Sequence, residues 1–177
     1  MRAALALLAL ATAGPDASHW LVGAPAPALP LTTLSGEPAA APWAERPGVV
    51  VLWAGWCGPC VAELPELAAA LNDVPDAVSV TLISTDDDRA AARRALGRAV
   101  RGDPGWTSLW GGPSAAGLFA SRTLPTAYRI DATGHIRTVW TGKQDAAAWR
   151  QIVSPGPPPD PPPAAPTPPA ELPASPR

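Results

Sequence analysis

Proline sets how much of this chain can pack. Twelve of its 25 prolines fall between Ser154 and Arg177. There half the positions lack a backbone N–H and have φ held near −65°. Such a stretch has neither the donors for helix or sheet nor the apolar side chains for a core, so residues 154–177 are read as a Pro-rich disordered or polyproline-II tail. At the other end Arg2 is followed by an apolar run that closes in Ala11-Thr12-Ala13. A short positive start, an apolar run and small residues are the marks of a secretory signal peptide over residues 1–13, cut after Ala13. The run is too short to cross a bilayer, which takes about 20 apolar residues. Residues 14–153 remain as one folded domain, expected in the periplasm or otherwise outside the cytoplasm, and soluble after signal cleavage.

Thirteen Lys and Arg against fifteen Asp and Glu give a formal net charge of −2. A mixed, nearly neutral surface lacks the electrostatic footprint of a nucleic-acid binder. Within the domain, Val49 to Trp53 is an apolar, β-branched run between Pro47-Gly48 and Gly55, which predicts a strand covered on both faces. Leu64, Leu67, Ala68 and Leu71 then recur at helical spacing, predicting a helix from Cys57 to about Asn72 with a kink at Pro65. Val78 to Ser84 reads as a second central strand. Asp86, Asp87 and Asp88 precede an Ala- and Arg-rich helix and are read as its capped, dipole-matched start rather than as a metal cluster. After a Gly- and Pro-rich passage come a short helix at Ala115 to Phe119, a strand at Thr126 to Ile130, a turn at Asp131 to Gly134, a strand at Ile136 to Trp140 and a helix at Asp145 to Val153. This order predicts an α/β domain with a central mixed sheet flanked by helices.

The chemistry lies in the only two cysteines, Cys57 and Cys60. As a structural staple their four-residue ring would contribute only about 2 kcal/mol. A zinc site needs two further ligands, and His19 and His135 lack the usual paired spacing. Haem attachment needs a histidine directly after the second cysteine, where Val61 stands. Dithiol–disulfide exchange remains, with the Cys57–Cys60 pair itself as the redox group and no bound cofactor. Cys57 falls where a buried strand gives way to a helix, so free N–H groups and the helix dipole favour its thiolate and make it the attacking sulfur. Cys60, one turn on, is the resolving sulfur. Gly58 allows a substrate backbone to come close, and Pro59 helps start the helix.

The run from Trp53 through Trp56-Cys57-Gly58-Pro59-Cys60 resembles the thioredoxin superfamily. The flanks are similar to its TlpA/ResA-like branch of exported thiol-disulfide oxidoreductases: Val22-Gly23-Ala24-Pro25-Ala26-Pro27, Leu31 to Gly36, Glu63-Leu64-Pro65, Leu124-Pro125-Thr126, Ile130-Asp131 and Gly134. The resemblance implies a thioredoxin fold with an N-terminal extension over about Leu21 to Val153. It also implies a cis Pro125 beside the dithiol, with Leu124 and Thr126 framing the bound peptide and Trp56 forming part of an apolar platform for it. Cytoplasmic thioredoxins carry a buried aspartate six residues before the first cysteine. Val51 stands there, so Glu63 is the candidate for moving the Cys60 proton. Peroxiredoxins place a threonine where Ala54 stands, which speaks against peroxidase activity. The other tryptophans, Trp20, Trp43, Trp106, Trp110, Trp140 and Trp149, are assigned to core or lid packing.

The function expected is an exported oxidoreductase that reduces protein disulfides, in a role such as cytochrome c maturation. Gly58-Pro59 is the thioredoxin dipeptide, whose potential lies near −270 mV, against about −120 mV for strong oxidants. Such a reductant, working as a monomer on protein disulfides, would draw electrons from a membrane donor of the DsbD/CcdA kind. The alternative is a non-catalytic binding or assembly module with a permanent disulfide.

Overall fold

A computed structural model describes residues 14–16, 18–44, 46–74 and 76–156. The proposed signal segment and all but the first three residues of the proline-rich tail lie outside these. The described elements are β1 (Leu31–Thr33), β2 (Pro38–Ala39), a 3-10 turn (Pro42–Ala44), β3 (Gly48–Trp53), α1 (Gly58–Asp73), β4 (Ser79–Ser84), α2 (Arg89–Ala99), β5 (Thr107–Trp110), α3 (Ser114–Leu118), β6 (Thr126–Ile130), β7 (Ile136–Thr141) and α4 (Ala146–Val153). None of these helices is long and apolar enough to cross a membrane.

The strands form one sheet in the order β2-β1-β5-β4-β3-β6-β7. Strands β3, β4 and β5 run parallel, and the other pairings are antiparallel. All six residues of β3 are buried, as its unbroken apolar run predicts for a central strand. Strand side chains alternate between faces, so Val49, Val51 and Trp53 point to one layer and Val50 and Leu52 to the other. The first layer is closed by Leu64 and Leu67 of α1, Ala92 and Ala95 of α2, and Trp149, Ile152 and Val153 of α4. The second is closed by Phe119, Trp43 and the N-terminal segment through Leu21 and Leu31. The expected N-terminal extension thus serves as the cover of one sheet face.

The Gly- and Pro-rich passage before α3 holds β5, which pairs with β4 and with β1. Four residues with one fully buried side chain leave too short an alternation to recognise in sequence. Helix α1 continues as a single helix through the exposed Pro65. Of the three aspartates before α2 only Asp88 is the cap, its carboxylate accepting from the N–H groups of Ala90 and Ala91. Asp86 is buried and turns the opposite way. The tryptophans divide as well: Trp43, Trp53 and Trp149 are buried, but Trp20 is 71% exposed, which excludes the core for it and leaves the lid of the two places expected.

Candidate functional site

The parallel strands β3 and β4 end side by side, and their loops build the site. After Trp53 the chain makes a turn in which the Cys57 N–H donates to the Ala54 carbonyl (3.1 Å). Gly55 approaches α2 so closely that a Cβ there would lie 2.9 Å from the Ala95 Cβ. Its N–H donates to both oxygens of the Asp86 carboxylate, at 2.8 and 3.0 Å, and the Ser84 hydroxyl donates to the same group at 2.8 Å. From the neighbouring loop, the Thr85 N–H and hydroxyl both donate to the Trp53 carbonyl. The turn leading into the dithiol is therefore pinned to the end of β4 by a buried acid and a threonine.

Cys57 is the N-cap of α1 and Pro59 stands in its first turn. Cys57 and Cys60 are joined as a disulfide, and the Cys60 N–H donates to the Cys57 sulfur at 3.2 Å. The two sulfurs differ in access: Cys60 is fully buried, while Cys57, largely buried, keeps 6% of its surface exposed at the edge of a cleft. On reduction, the helix N-terminus and this N–H would stabilise negative charge on Cys57, whereas Cys60 lies within the hydrophobic core with no exposed surface.

The cleft beside Cys57 has a volume of about 610 Å³ and is lined by Trp56, Leu124, Pro113 and Arg122 among others. Trp56 is 72% exposed, and Gly58 and Pro59 lie open at the helix start. The Leu124–Pro125 bond is cis. Pro125 and Thr126 are buried behind the cleft. The Pro125 carbonyl accepts from the Gly142 N–H (2.8 Å), and Thr126 pairs with Leu52 and Thr141 in the sheet. The residues named from the sequence are thus gathered at one end of the sheet. Trp56, Cys57 and Leu124 face the cleft, with Pro125 and Thr126 as its support.

Glu63, three positions after Cys60 on α1, is buried. The Gln144 N–H donates to its Oε2 at 2.9 Å. Burial pushes its pKa from 4.5 up to about 8, with Glu66 adding to the rise and the Gln144 N–H and Lys143 opposing it. Lys143 is itself paired with Glu66 at the surface, at 3.0 Å. A carboxyl whose pKa lies near that of a thiol is suited to exchange a proton with one.

Sequence reasoning missed three contributors: Asp86, Gln144 and the loop of Ser121, Arg122 and Thr123. Asp86 was visible as an acid after a strand, but a helix start one turn further on accounted for it. Nothing local marks Gln144 or Arg122.

The model of the Redoxin family matches residues 21–140 of this chain. Among curated proteins, the thiol:disulfide interchange protein DsbE of Pseudomonas aeruginosa is 31% identical over 140 residues, covering 76% of this chain and 74% of that protein. A solved structure of a secreted Mycobacterium tuberculosis disulfide oxidoreductase, homologous to E. coli DsbE, superposes with a TM-score of 0.59 at 23% identity, over 71% of this chain and 93% of the other. A thiol-disulfide oxidoreductase from Bacteroides fragilis gives a TM-score of 0.56 at 26% identity, over 72% and 96%.

Proposed function

The chain belongs to the redoxin family, within its TlpA/ResA-like thioredoxin-fold branch, and from that membership we propose that it is an exported protein-disulfide reductase acting through Cys57 and Cys60. The observation that carries this is the asymmetry of the pair: one sulfur caps a helix at the edge of a cleft and its partner is sealed in the core.

In the reduced protein the Cys57 thiolate attacks one sulfur of a substrate disulfide, and the other substrate sulfur leaves as a thiolate and is protonated. Cys60, giving its proton to Glu63, then attacks the Cys57 sulfur. The substrate's remaining sulfur leaves, and the Cys57–Cys60 disulfide is restored. Two electrons pass from protein to substrate, with the dithiol serving in place of a bound cofactor. Trp56, Gly58, Pro59 and Leu124 receive the substrate chain, and Pro125 with Thr126 fixes that wall of the cleft. Residues 1–13 direct export to the periplasm or its equivalent, and the mature protein works as a soluble monomer. Its electrons come from a membrane donor of the DsbD/CcdA kind, and the resemblance to the TlpA/ResA-like branch makes cytochrome c maturation the pathway to examine first.

Two assays test the reading. Wild-type protein should accelerate insulin reduction by dithiothreitol, and Cys57→Ser should not. No acceleration by wild type would leave a binding module with a permanent disulfide. Direction is measured by equilibration against a glutathione series. Gly58 and Pro59 add no charge or side-chain donor to stabilise the thiolate, so the potential should lie nearer about −270 mV than about −120 mV, and Gly58→His should move it in the oxidising direction. A wild-type value at the oxidising end would replace reduction by disulfide formation.

A further inference from the structure

We propose that the substrate groove continues past the dithiol, across Arg122, to a second aromatic contact at Trp20. The occupant it fits is an extended polypeptide with an acidic side chain beside the cysteine under attack and an apolar one beyond it. The proposal rests on the exchange chemistry above and names the class of substrate that chemistry serves.

Two clefts lie side by side on this face. The first, of about 610 Å³, holds Trp56, Cys57 and Leu124. The second, of about 360 Å³, holds His19, Trp20 and Thr141. Ser121, Arg122 and Thr123 line both, so the clefts adjoin at the 121–123 loop, and a chain leaving one over Arg122 enters the other. Among the described residues the exposed large apolar side chains are Trp20, Trp56 and Leu118. The two indoles each border one half of the groove. Rigid aromatic side chains left in water at the ends of a groove are the usual anchors of a protein partner.

The charge pattern narrows the occupant. Arg122 is exposed, lines both halves, and makes no ion pair among the described residues. The lining carboxylates stand on either side of it, Asp87 in the dithiol half and Asp16 in the Trp20 half, and Asp16 already accepts from the Ser18 N–H and hydroxyl. A substrate acid therefore meets a free cation at the middle of the groove, where a lysine would be repelled.

The wall is fixed in advance. The Ser121 N–H donates to the Ala116 carbonyl (2.8 Å), the Ser121 hydroxyl to the Thr123 carbonyl (2.8 Å), and the Thr126 hydroxyl to that same carbonyl. A prepared wall spares a bound chain part of the ordering cost of association. A substrate with no chain around its disulfide would use none of these contacts beyond Trp56.

The test uses short peptides whose single cysteine is capped as a mixed disulfide with 5-thio-2-nitrobenzoate. Each has Glu or Lys beside the cysteine and Phe or Ala beyond it, and is built in both chain directions. N-acetylcysteinamide carrying the same cap is the reference. The Cys57 thiolate of the reduced, full-length protein attacks the peptide sulfur, the S–S bond breaks, and coloured nitrothiobenzoate leaves. Cys60 then displaces the peptide thiol, the protein dithiol having supplied two electrons. Each rate is read as a ratio to the reference.

In one chain direction the Glu peptide should react roughly fivefold faster than the Lys peptide, a preference that shrinks as salt is added. Arg122→Glu should invert it, and Trp20→Ala should remove the advantage of Phe over Ala. An inversion cannot come from a misfolded variant. Peptides that all react like the reference in wild type, or a charge preference indifferent to Arg122→Glu, would end the groove at the dithiol. A reference that itself fails to react would sink the exchange chemistry, and this proposal with it.

Discussion

Glu63 is held one helical turn beyond Cys60 with its carboxyl out of water, and that placement makes stability depend on pH. Burial raises its pKa from 4.5 to about 8. A carboxyl with a raised folded-state pKa favours folding fully below the unfolded value and loses that contribution as pH rises through the folded one. Glu63→Gln, which keeps the shape and removes the charge, should therefore gain in thermal midpoint relative to wild type between about pH 4.5 and about pH 8, and then level off. Midpoints measured across that range check this, and a difference independent of pH would show that Glu63 ionises freely in the fold. The two cysteines differ at the same scale. Cys57 meets solvent at the start of α1, and Cys60 has no exposed surface. Near neutral pH, iodoacetamide followed by peptide mass mapping should label Cys57 at least about tenfold faster in the reduced protein. Equal rates would reverse the assignment of nucleophile and resolving thiol.

Two aspartates separated by a single residue do different work between elements. Asp88 closes the N-terminus of α2 from an exposed position. Asp86, buried at the end of β4, ties the β3–α1 turn to the β4–α2 turn through Gly55. Losing a surface cap costs about 1 kcal/mol. Removing Asp86 leaves the buried Ser84 hydroxyl without its acceptor, at about 1–3 kcal/mol, and frees the half-buried Gly55 N–H as well. Urea denaturation should therefore show Asp86→Ala as the more destabilising change. Only Asp86→Ala should also alter the rate of Cys57 alkylation, since only it releases the turn that presents the sulfur. Equal effects from the two variants would mean that the Gly55 contact positions nothing.

At the scale of the whole molecule, the domain ends on a buried arginine. The Arg129 guanidinium donates to the carbonyls of Ile152 (2.7 Å), Ser154 (3.1 Å) and Gly156 (3.1 Å). The fold's contacts thus run three residues past Val153, into the stretch that proline content assigns to the tail. A chain ending after Gly156 should melt where the full chain does. One ending after Val153 leaves Arg129 short of two acceptors and should be less stable by about 1–3 kcal/mol. Melting both truncations beside the full chain separates the cases, and identical midpoints for all three would show that Arg129 finds water instead.

The sequence alone determined the elements whose signals are local. The apolar run of β3, the helical spacing of Leu64 and Leu67, the β6 and β7 strands about a turn, and the dithiol where a strand becomes a helix each need only neighbouring residues to be recognised. Tertiary structure decided what depends on partners far along the chain. Asp86 meets Gly55 across 31 positions and Gln144 meets Glu63 across 81, so neither local pattern nor propensity marks them. Strand β5 exists because β4 and β1 flank it, and Glu63 leaves water because the chain around Gln144 folds over α1. Trp20 has the composition of a core residue, yet packing left it at the surface. Whether an apolar side chain is covered depends on what the rest of the chain brings to it, which no local window contains.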